Sequence, residues 1–116
     1  MQTKTRLRAR AGFTLVEIMI VVAIIGLLAA IAIPNLLKAR TSSQRVACVM
    51  NLKAMDGAKS TWALDAHKGD TDVPTDADLF GPTSFIREKP NCPANGLYSL
   101  NAVNTKPACS IADHTF

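Results

Sequence analysis

The feature that most constrains this 116-residue chain is a long apolar run near its N-terminus. From Phe13 to Ile33 the sequence reads FTLVEIMIVVAIIGLLAAIAI, and it is interrupted only by Thr14 and by one carboxylate, Glu17. As a helix the run is about 32 Å long, which matches a bilayer hydrocarbon core of about 30 Å. The run therefore predicts a membrane-spanning helix that carries an acid near one end.

The positive charge of the chain is concentrated before this run. The net charge is +4, and four basic residues precede Gly12: Lys4, Arg6, Arg8 and Arg10. Without residues 1–12, basic and acidic side chains balance (13 − 4 = 9 against 9). A basic leader before an apolar span is typical of a cytoplasmic N-terminus followed by an exported domain. This location of the charge argues against nucleic acid as a partner.

Three interpretations of the apolar run compete, and Glu17 helps to separate them. The run is a plain membrane anchor, a secretory signal cleaved at Ala30-Ile31-Ala32, or a filament-forming helix. An acid inside a spanning helix costs a few kcal/mol, which neither an anchor nor a signal recovers. If the chain is cut before Phe13, the new α-amino group of one subunit can face Glu17 of its neighbour. Opposite charges about 4 Å apart attract by about 4 kcal/mol at an effective dielectric constant of 20.

The segment Gly12 to Pro34, GFTLVEIMIVVAIIGLLAAIAIP, closely resembles the N-terminal segment of type IV pilins and of type II secretion pseudopilins. The resemblance implies that a prepilin peptidase cuts between Gly12 and Phe13 and methylates the amino group of Phe13. It also implies that Glu17 is the assembly glutamate and that Gly26 and Pro34 loosen the helix inside the filament. Cleavage there leaves a mature chain of 104 residues (116 − 12).

The same resemblance implies a structural role rather than catalysis, and no enzyme motif is found. The expected function is that of a subunit of a type IV pilus or pilus-like filament, stored as a single-pass protein in the cytoplasmic (inner) membrane. Its leader lies in the cytoplasm, and its C-terminal domain lies outside and later in an extracellular or periplasmic filament. Expected partners are copies of itself, the prepilin peptidase, the pilus or type II secretion assembly machinery, and membrane lipid. The alternatives are a major pseudopilin, or a membrane-tethered or secreted binding module that does not polymerise.

The sequence predicts an α+β fold: a long N-terminal α-helix packed against a small C-terminal antiparallel β-hairpin. The predicted organisation is a leader at 1–12, a transmembrane and assembly helix at 13–34 and a small domain at 35–116. Apolar residues recur every three or four positions and predict that the helix continues to about Lys68, with Gly69 in the left-handed conformation. They are Cys48, Leu52, Met55, Ala58, Trp62 and Ala66.

The remainder of the chain is predicted to be mostly loop, with a helical turn at 76–80 and one hairpin. The hairpin is formed by GLYSLNAV and ACSI, and a turn at Thr105-Lys106 would place Cys109 opposite about Ala102. Trp62 is expected to be a core residue that anchors the hairpin on the helix.

The three cysteines predict one disulfide and one free thiol, because the domain that carries them is expected to be exported. They are Cys48, Cys92 and Cys109. Their spacing fits no zinc motif and His67 and His114 stand alone, so no metal site and no cofactor are predicted. The family resemblance favours a Cys92–Cys109 pair, while a bond from Cys48 to either of them stays open.

Two groups of charged residues are interpreted as solvated surface. The first is an acidic loop, in which a solvated state is favoured over the calcium site of some pseudopilins (Asp70, Asp72, Asp76, Asp78). The second is a set of basic helix residues, interpreted as a solvent-facing surface rather than a DNA-binding one (Lys38, Arg40, Arg45, Lys53, Lys59).

Overall fold

A computed structural model describes residue 2 and residues 11–116 of the chain, so most of the predicted leader lies outside the described residues. The described residues form two compact units, and the division falls between Leu37 and Lys38. The described elements are α1 (Leu15–Asp65), α2 (Asp76–Leu79), β1 (Tyr98–Ser99) and β2 (Ala108–Cys109). The predicted α+β fold, with a long N-terminal helix and a small antiparallel sheet, is confirmed.

Helix α1 contains 51 residues and continues through both Gly26 and Pro34. Pro34 has no N–H to donate to the carbonyl of Ala30, so one hydrogen bond of the helix is missing at that turn. The polar stretch TSSQ, residues 41–44, also lies within the helix and does not begin a new one. The loosening of the helix at Gly26 and Pro34 inside a filament stays a prediction.

The C-terminal end of α1 differs in detail from the prediction. The helix ends at Asp65, and the N–H of Lys68 donates to the carbonyl of Ala63 at 2.9 Å. His67 takes the left-handed conformation, with φ of 51°, where Gly69 was expected to do so. The prediction for Gly69 is wrong because the helix ends earlier than expected, so the left-handed position after it falls at His67. The N–H of Gly69 donates to the carboxylate of Asp72 at 2.8 Å.

The core of the second unit is built on the predicted apolar face of α1. Five of the six predicted residues are buried, and the sixth, Ala66, is exposed. Lys59 is fully buried on the same face, which corrects its assignment to the solvent-facing surface. Trp62 is 8% exposed and packs with Leu79 of α2 in a core cluster that Phe80 and the connection after β1 also contact. Trp62 is therefore a core residue as predicted.

The two-stranded sheet pairs in a different register from the prediction. Cys109 lies opposite Tyr98 and Ser99 lies opposite Ala108, so the placement of Cys109 opposite Ala102 is wrong. Residues 100–107 form a wide connection instead of a tight turn at Thr105-Lys106. In this register Cys109 lies opposite the first residue of β1, and therefore close to the segment that precedes β1.

The buried Lys59 explains why the connection is wide. Its Nζ donates to the carbonyl oxygens of Leu100 at 2.8 Å and Ala102 at 2.9 Å, and also to that of Thr105. Three acceptors match the three N–H bonds of an ammonium group, whereas a neutral amine could donate to only two of them. The connection is thus folded around one buried cation from α1.

The acidic residues of the loop after α1 make local contacts. The carboxylate of Asp76 pairs with Lys89 at 2.8 Å. The carboxylate of Asp78 accepts hydrogen bonds from the N–H and hydroxyl of Thr75, and these hold the pKa of Asp78 below its usual value. The predicted helical turn is α2, and these contacts lie at its first turn.

Candidate functional site

The first candidate site is the N-terminal part of α1, whose large apolar side chains are not covered by other described residues of the first unit. All large apolar side chains from Phe13 to Leu37 are exposed. By length and composition, α1 is the one described helix able to cross a membrane, and its most apolar stretch is entirely unburied. A surface of this kind requires lipid or protein around it, since monomeric soluble proteins rarely expose large apolar patches.

The predicted cleavage and assembly residues lie together at the start of this helix. Gly12 and Phe13 precede α1 in extended or irregular backbone, and the side chain of Phe13 is 87% exposed. Glu17 lies in the first turn, where a carboxylate interacts favourably with the positive end of the helix dipole. The structure therefore places the predicted cut site in non-helical chain directly before the acid.

Glu17 makes a reciprocal pair of hydrogen bonds with Thr14, a contact that the sequence analysis missed. The N–H of Thr14 donates to Oε2 of Glu17 and the N–H of Glu17 donates to Oγ1 of Thr14, both at 3.3 Å. This is a capping box, which satisfies two donors that have no partner within the helix. Its signature, T-x-x-E, is present at residues 14–17 and was available from the sequence alone.

The second candidate site is a group of four metal-binding side chains in the second unit, here called the cysteine–histidine cluster. Its ligand-type atoms all lie within 4.8 Å of one another, and they belong to Cys48, Cys92, Cys109 and His114. The Sγ of Cys92 is 3.4 Å from Nδ1 of His114. Cys48 comes from α1, Cys92 precedes β1, Cys109 ends β2 and His114 lies near the C-terminus.

Polar groups surround the sulfur atoms of the cluster. Burial alone raises the pKa of the Cys92 thiol, but hydrogen bonds from the backbone N–H groups of Ala94 and Gly96, and from Cys48 and His114, together lower it to about 6. Burial raises the pKa of Cys48 to about 12, although a hydrogen bond from Tyr98 opposes this shift. The cluster therefore contains one sulfur that favours the thiolate form and one that favours the thiol.

Comparison with known proteins is consistent with the N-terminal geometry. Residues 7–33 match the family model described as "Prokaryotic N-terminal methylation motif". The type II secretion system core protein G of Klebsiella michiganensis is 31% identical over 107 residues, which cover 82% of this chain and 75% of that protein. The chain belongs to the type IV pilin and type II secretion pseudopilin family.

Other relatives of this pilin-like subunit match over shorter stretches. The type IV major pilin protein PilA of Myxococcus xanthus is 55% identical over 51 residues, covering 44% of this chain and 23% of that protein. The type II secretion system core protein G of Escherichia coli K12 is 39% identical over 56 residues, covering 48% of this chain and 39% of that protein. The chain thus spans less than half the length of these two relatives. No solved structure matches the chain.

The predicted disulfides of this pilin-like subunit are not formed in the structure. Cys48, Cys92 and Cys109 are all free thiols, so the choice among the three pairings stays a prediction. The predicted register placed Cys109 opposite Ala102 and therefore away from Cys92, and this objection to a Cys92–Cys109 pair falls because the structure places Cys109 opposite Tyr98. The sequence also gave no reason to group His114 with the cysteines, since His114 is 22 residues from Cys92 and 66 from Cys48 (114 − 92 and 114 − 48).

Gly96 allows the chain to pass directly over the cluster, which leads to a stability prediction. A Cβ at this position would lie 2.5 Å from Sγ of Cys109 and 2.9 Å from Cγ1 of Ile111. Gly96→Ala is therefore expected to destabilise the second unit by about 1–3 kcal/mol, the usual cost of overpacking a core. Urea unfolding followed by the fluorescence of Trp62, the single tryptophan, measures this change.

The same substitution at Gly57 is the matched control for Gly96. Gly57 lies inside α1, and a Cβ there meets nothing within 4 Å. Gly57→Ala is expected to stabilise the helix by about 0.5–1 kcal/mol, because alanine loses less backbone entropy than glycine. Equal effects from the two substitutions would contradict the steric argument.

Proposed function

We propose that this chain is a structural subunit of a type IV pilus or pilus-like filament that polymerises through its N-terminal helix. The observation that carries the proposal is the apolar surface from Phe13 to Leu37, on which every large apolar side chain is exposed and a single acid, Glu17, lies in the first turn. Lipid covers such a surface in the stored subunit, and the helices of neighbouring subunits cover it in the filament. The small second unit then lies on the outside of the polymer.

Removal of the leader creates the positively charged partner that Glu17 lacks in the precursor. Cleavage between Gly12 and Phe13 creates a positive α-amino group at Phe13, and methylation at this nitrogen retains the charge. Both members of the capping box lie after the cut, so cleavage leaves Thr14 and Glu17 able to keep their hydrogen bonds. The amino group of one subunit then pairs with Glu17 of its neighbour, which fixes how far one helix is shifted along the next.

The partners follow from this sequence of events. The basic leader keeps the N-terminus in the cytoplasm, in agreement with the positive-inside rule. A prepilin peptidase in the inner membrane removes residues 1–12, and the pilus or type II secretion assembly machinery extracts the processed subunit from lipid. No catalytic group of this chain takes part in these steps.

The cut site is tested by placing a charge at the residue before it. Gly12→Glu is expected to block cleavage, because a bulky acid replaces the residue whose carbonyl is attacked by the peptidase. The precursor then persists and retains residues 1–12. Intact mass spectrometry of the membrane fraction, after co-expression with a prepilin peptidase, reports the N-terminus directly.

Wild-type chain co-expressed with an inactive peptidase is the control for the mass of the precursor. Wild-type chain with active peptidase is expected to begin at N-methylated Phe13. A wild-type chain that begins at Ile33 is a secreted protein, and one that keeps Met1 is a simple anchor. Either result contradicts the proposal, as does normal processing of the Gly12→Glu variant.

A pseudopilin of a type II secretion system is the second candidate function. The alignment with a type II secretion system core protein G covers 82% of this chain, whereas that with a type IV major pilin covers 44%. Deletion of the coding sequence in the source bacterium separates the two candidates. Loss of sheared surface filaments supports a pilin, and loss of secreted proteins with surface filaments retained supports a pseudopilin.

A further inference from the structure

The cysteine–histidine cluster has the four protein ligands that are typical of a structural metal site. We propose that Cys48, Cys92, Cys109 and His114 bind one Zn²⁺ ion in a tetrahedral site that holds the second unit together. Three thiolates and one imidazole form one of the usual ligand sets of structural zinc. The four protein ligands leave no open position, so the site is structural and not catalytic.

The distances within the cluster fit a zinc ion after small side-chain movements. Zinc–sulfur bonds of about 2.3 Å and zinc–nitrogen bonds of about 2.0–2.1 Å place sulfur atoms about 3.8 Å apart and sulfur and nitrogen about 3.5 Å apart in a tetrahedron. Cys92 and His114 already lie at 3.4 Å. The largest separation within the cluster is at most 4.8 Å, so about 1 Å of movement brings all four ligands to zinc.

The groups around the ligands stabilise the negative charge of a zinc–tris(thiolate) centre. Such a centre has a net charge of −1, because three thiolates outweigh one divalent ion beside a neutral imidazole. The backbone N–H groups of Ala94 and Gly96 donate to Cys92, and Tyr98 interacts with Cys48 through a hydrogen bond. The hydroxyl of Tyr98 is itself fixed by a hydrogen bond from Nδ2 of Asn51 at 3.1 Å. Outer contacts of this kind orient ligands and raise metal affinity.

A metal uses the whole cluster, whereas a disulfide uses only part of it. Any one disulfide would join two sulfur atoms and leave the third unpaired in the cluster with His114, which is only 4% exposed. Zinc joins four separate segments of the chain: α1, the loop before β1, the end of β2 and the C-terminal segment. A small domain with a modest core gains much of its stability from a link of this kind.

The decisive measurement is the metal content and thiol state of the full chain in detergent micelles. Cells are lysed with an alkylating reagent present, so that thiols that are free in the cell envelope are trapped before air oxidises them. We expect one zinc per chain by elemental analysis and three cysteines that resist alkylation until EDTA is added. Cobalt substitution is expected to give the visible bands of tetrahedral Co²⁺ with thiolate ligands.

The two histidines provide a matched pair of variants that leave all three thiols in place. His114→Asn removes a ligand and is expected to weaken zinc binding by at least about a hundredfold. Losing an outer contact already weakens metal binding by about ten- to a hundredfold, and losing a ligand should weaken it at least as much. His67→Asn makes the same change in the exposed turn after α1 and is expected to leave zinc binding unchanged. Zinc affinity is measured by competition with a chelator of known affinity, and Trp62 fluorescence reports whether each variant is folded.

Three results with the wild-type chain overturn the proposal. The first is metal-free protein that has lost two hydrogens and contains one disulfide when trapped at lysis. The second is metal-free protein with three rapidly alkylated thiols. The third is a different metal at the same stoichiometry, which excludes zinc as the resident ion. Equal zinc affinity in the His114 and His67 variants removes His114 from the ligand set and likewise contradicts the proposed site.

Discussion

Glu17→Ala is expected to abolish filament assembly while cleavage and methylation at Phe13 proceed normally. The alanine variant loses the partner of the new α-amino group, and a contact of about 4 kcal/mol corresponds to about a thousandfold in the affinity between subunits. The measurement is the amount of sheared filament, seen by electron microscopy and immunoblotting. Mass spectrometry of the membrane-bound subunit verifies that processing is intact. Glu88→Ala, at the other glutamate of the chain, is expected to assemble normally.

The capping box requires a second comparison, because Glu17 both carries a charge and caps its own helix. Glu17→Gln retains an oxygen that accepts from the N–H of Thr14 but has no charge, and it is expected to fail to assemble. Thr14→Val removes the hydroxyl acceptor and retains the charge, and it is expected to weaken the helix start by about 1 kcal/mol yet still assemble. Assembly by the glutamine variant together with failure of the valine variant would assign the role to capping.

The N-terminal part of the molecule could be predicted from sequence because the features that determine its structure are adjacent in the sequence. An apolar run of bilayer length, a basic leader and one acid are all contiguous, and a helix is the structure that satisfies its own backbone in lipid. The capping box at Thr14 and Glu17 was equally local and was missed only because Glu17 had been assigned a single role.

The sheet register could not be predicted because it depends on a residue far away in the sequence. The turn signal at Thr105-Lys106 is local in the sequence, but the carbonyl of Thr105 accepts a hydrogen bond from Lys59 in α1. Lysine is almost always solvent-exposed, so nothing in the helical pattern indicates that this cation is buried. Once Lys59 is placed inside, the connection must widen to surround it, and Cys109 moves opposite Tyr98.

The cysteine–histidine cluster was missed for the same reason. Metal motifs are recognised from short spacings between ligands, as in C-x₂₋₄-C, whereas these four residues come from four separate segments. Cys48 was correctly predicted to be buried on the apolar face of α1. Its proximity to Cys92 and His114 required the sheet register and the C-terminal path, which the sequence does not reveal.

Lys59→Met is expected to destabilise the second unit by about 3 kcal/mol. Methionine preserves most of the buried aliphatic volume but removes the side-chain donor to the carbonyls of Leu100, Ala102 and Thr105. Of these, the carbonyl of Ala102 keeps a second hydrogen bond, from the N–H of Thr105 at 3.0 Å. Hydrogen bonds from a charged donor contribute about 1.5–3 kcal/mol each. Burial lowers the pKa of Lys59, opposed by the charge of Asp56, so removing the ammonium also relieves a desolvation cost and the net loss is smaller than the sum.

Urea unfolding followed by Trp62 fluorescence measures this loss, because Trp62 packs in the core cluster that includes Leu100 and Val103 of the same connection. Lys53→Met is the matched control: Lys53 lies on the exposed side of α1, and its change is expected to stay within about 0.5 kcal/mol. If the two variants unfold at the same urea concentration, the buried ammonium does not organise the connection. The corrected register of β1 and β2 then needs another cause, because the wide connection would hold its shape without Lys59.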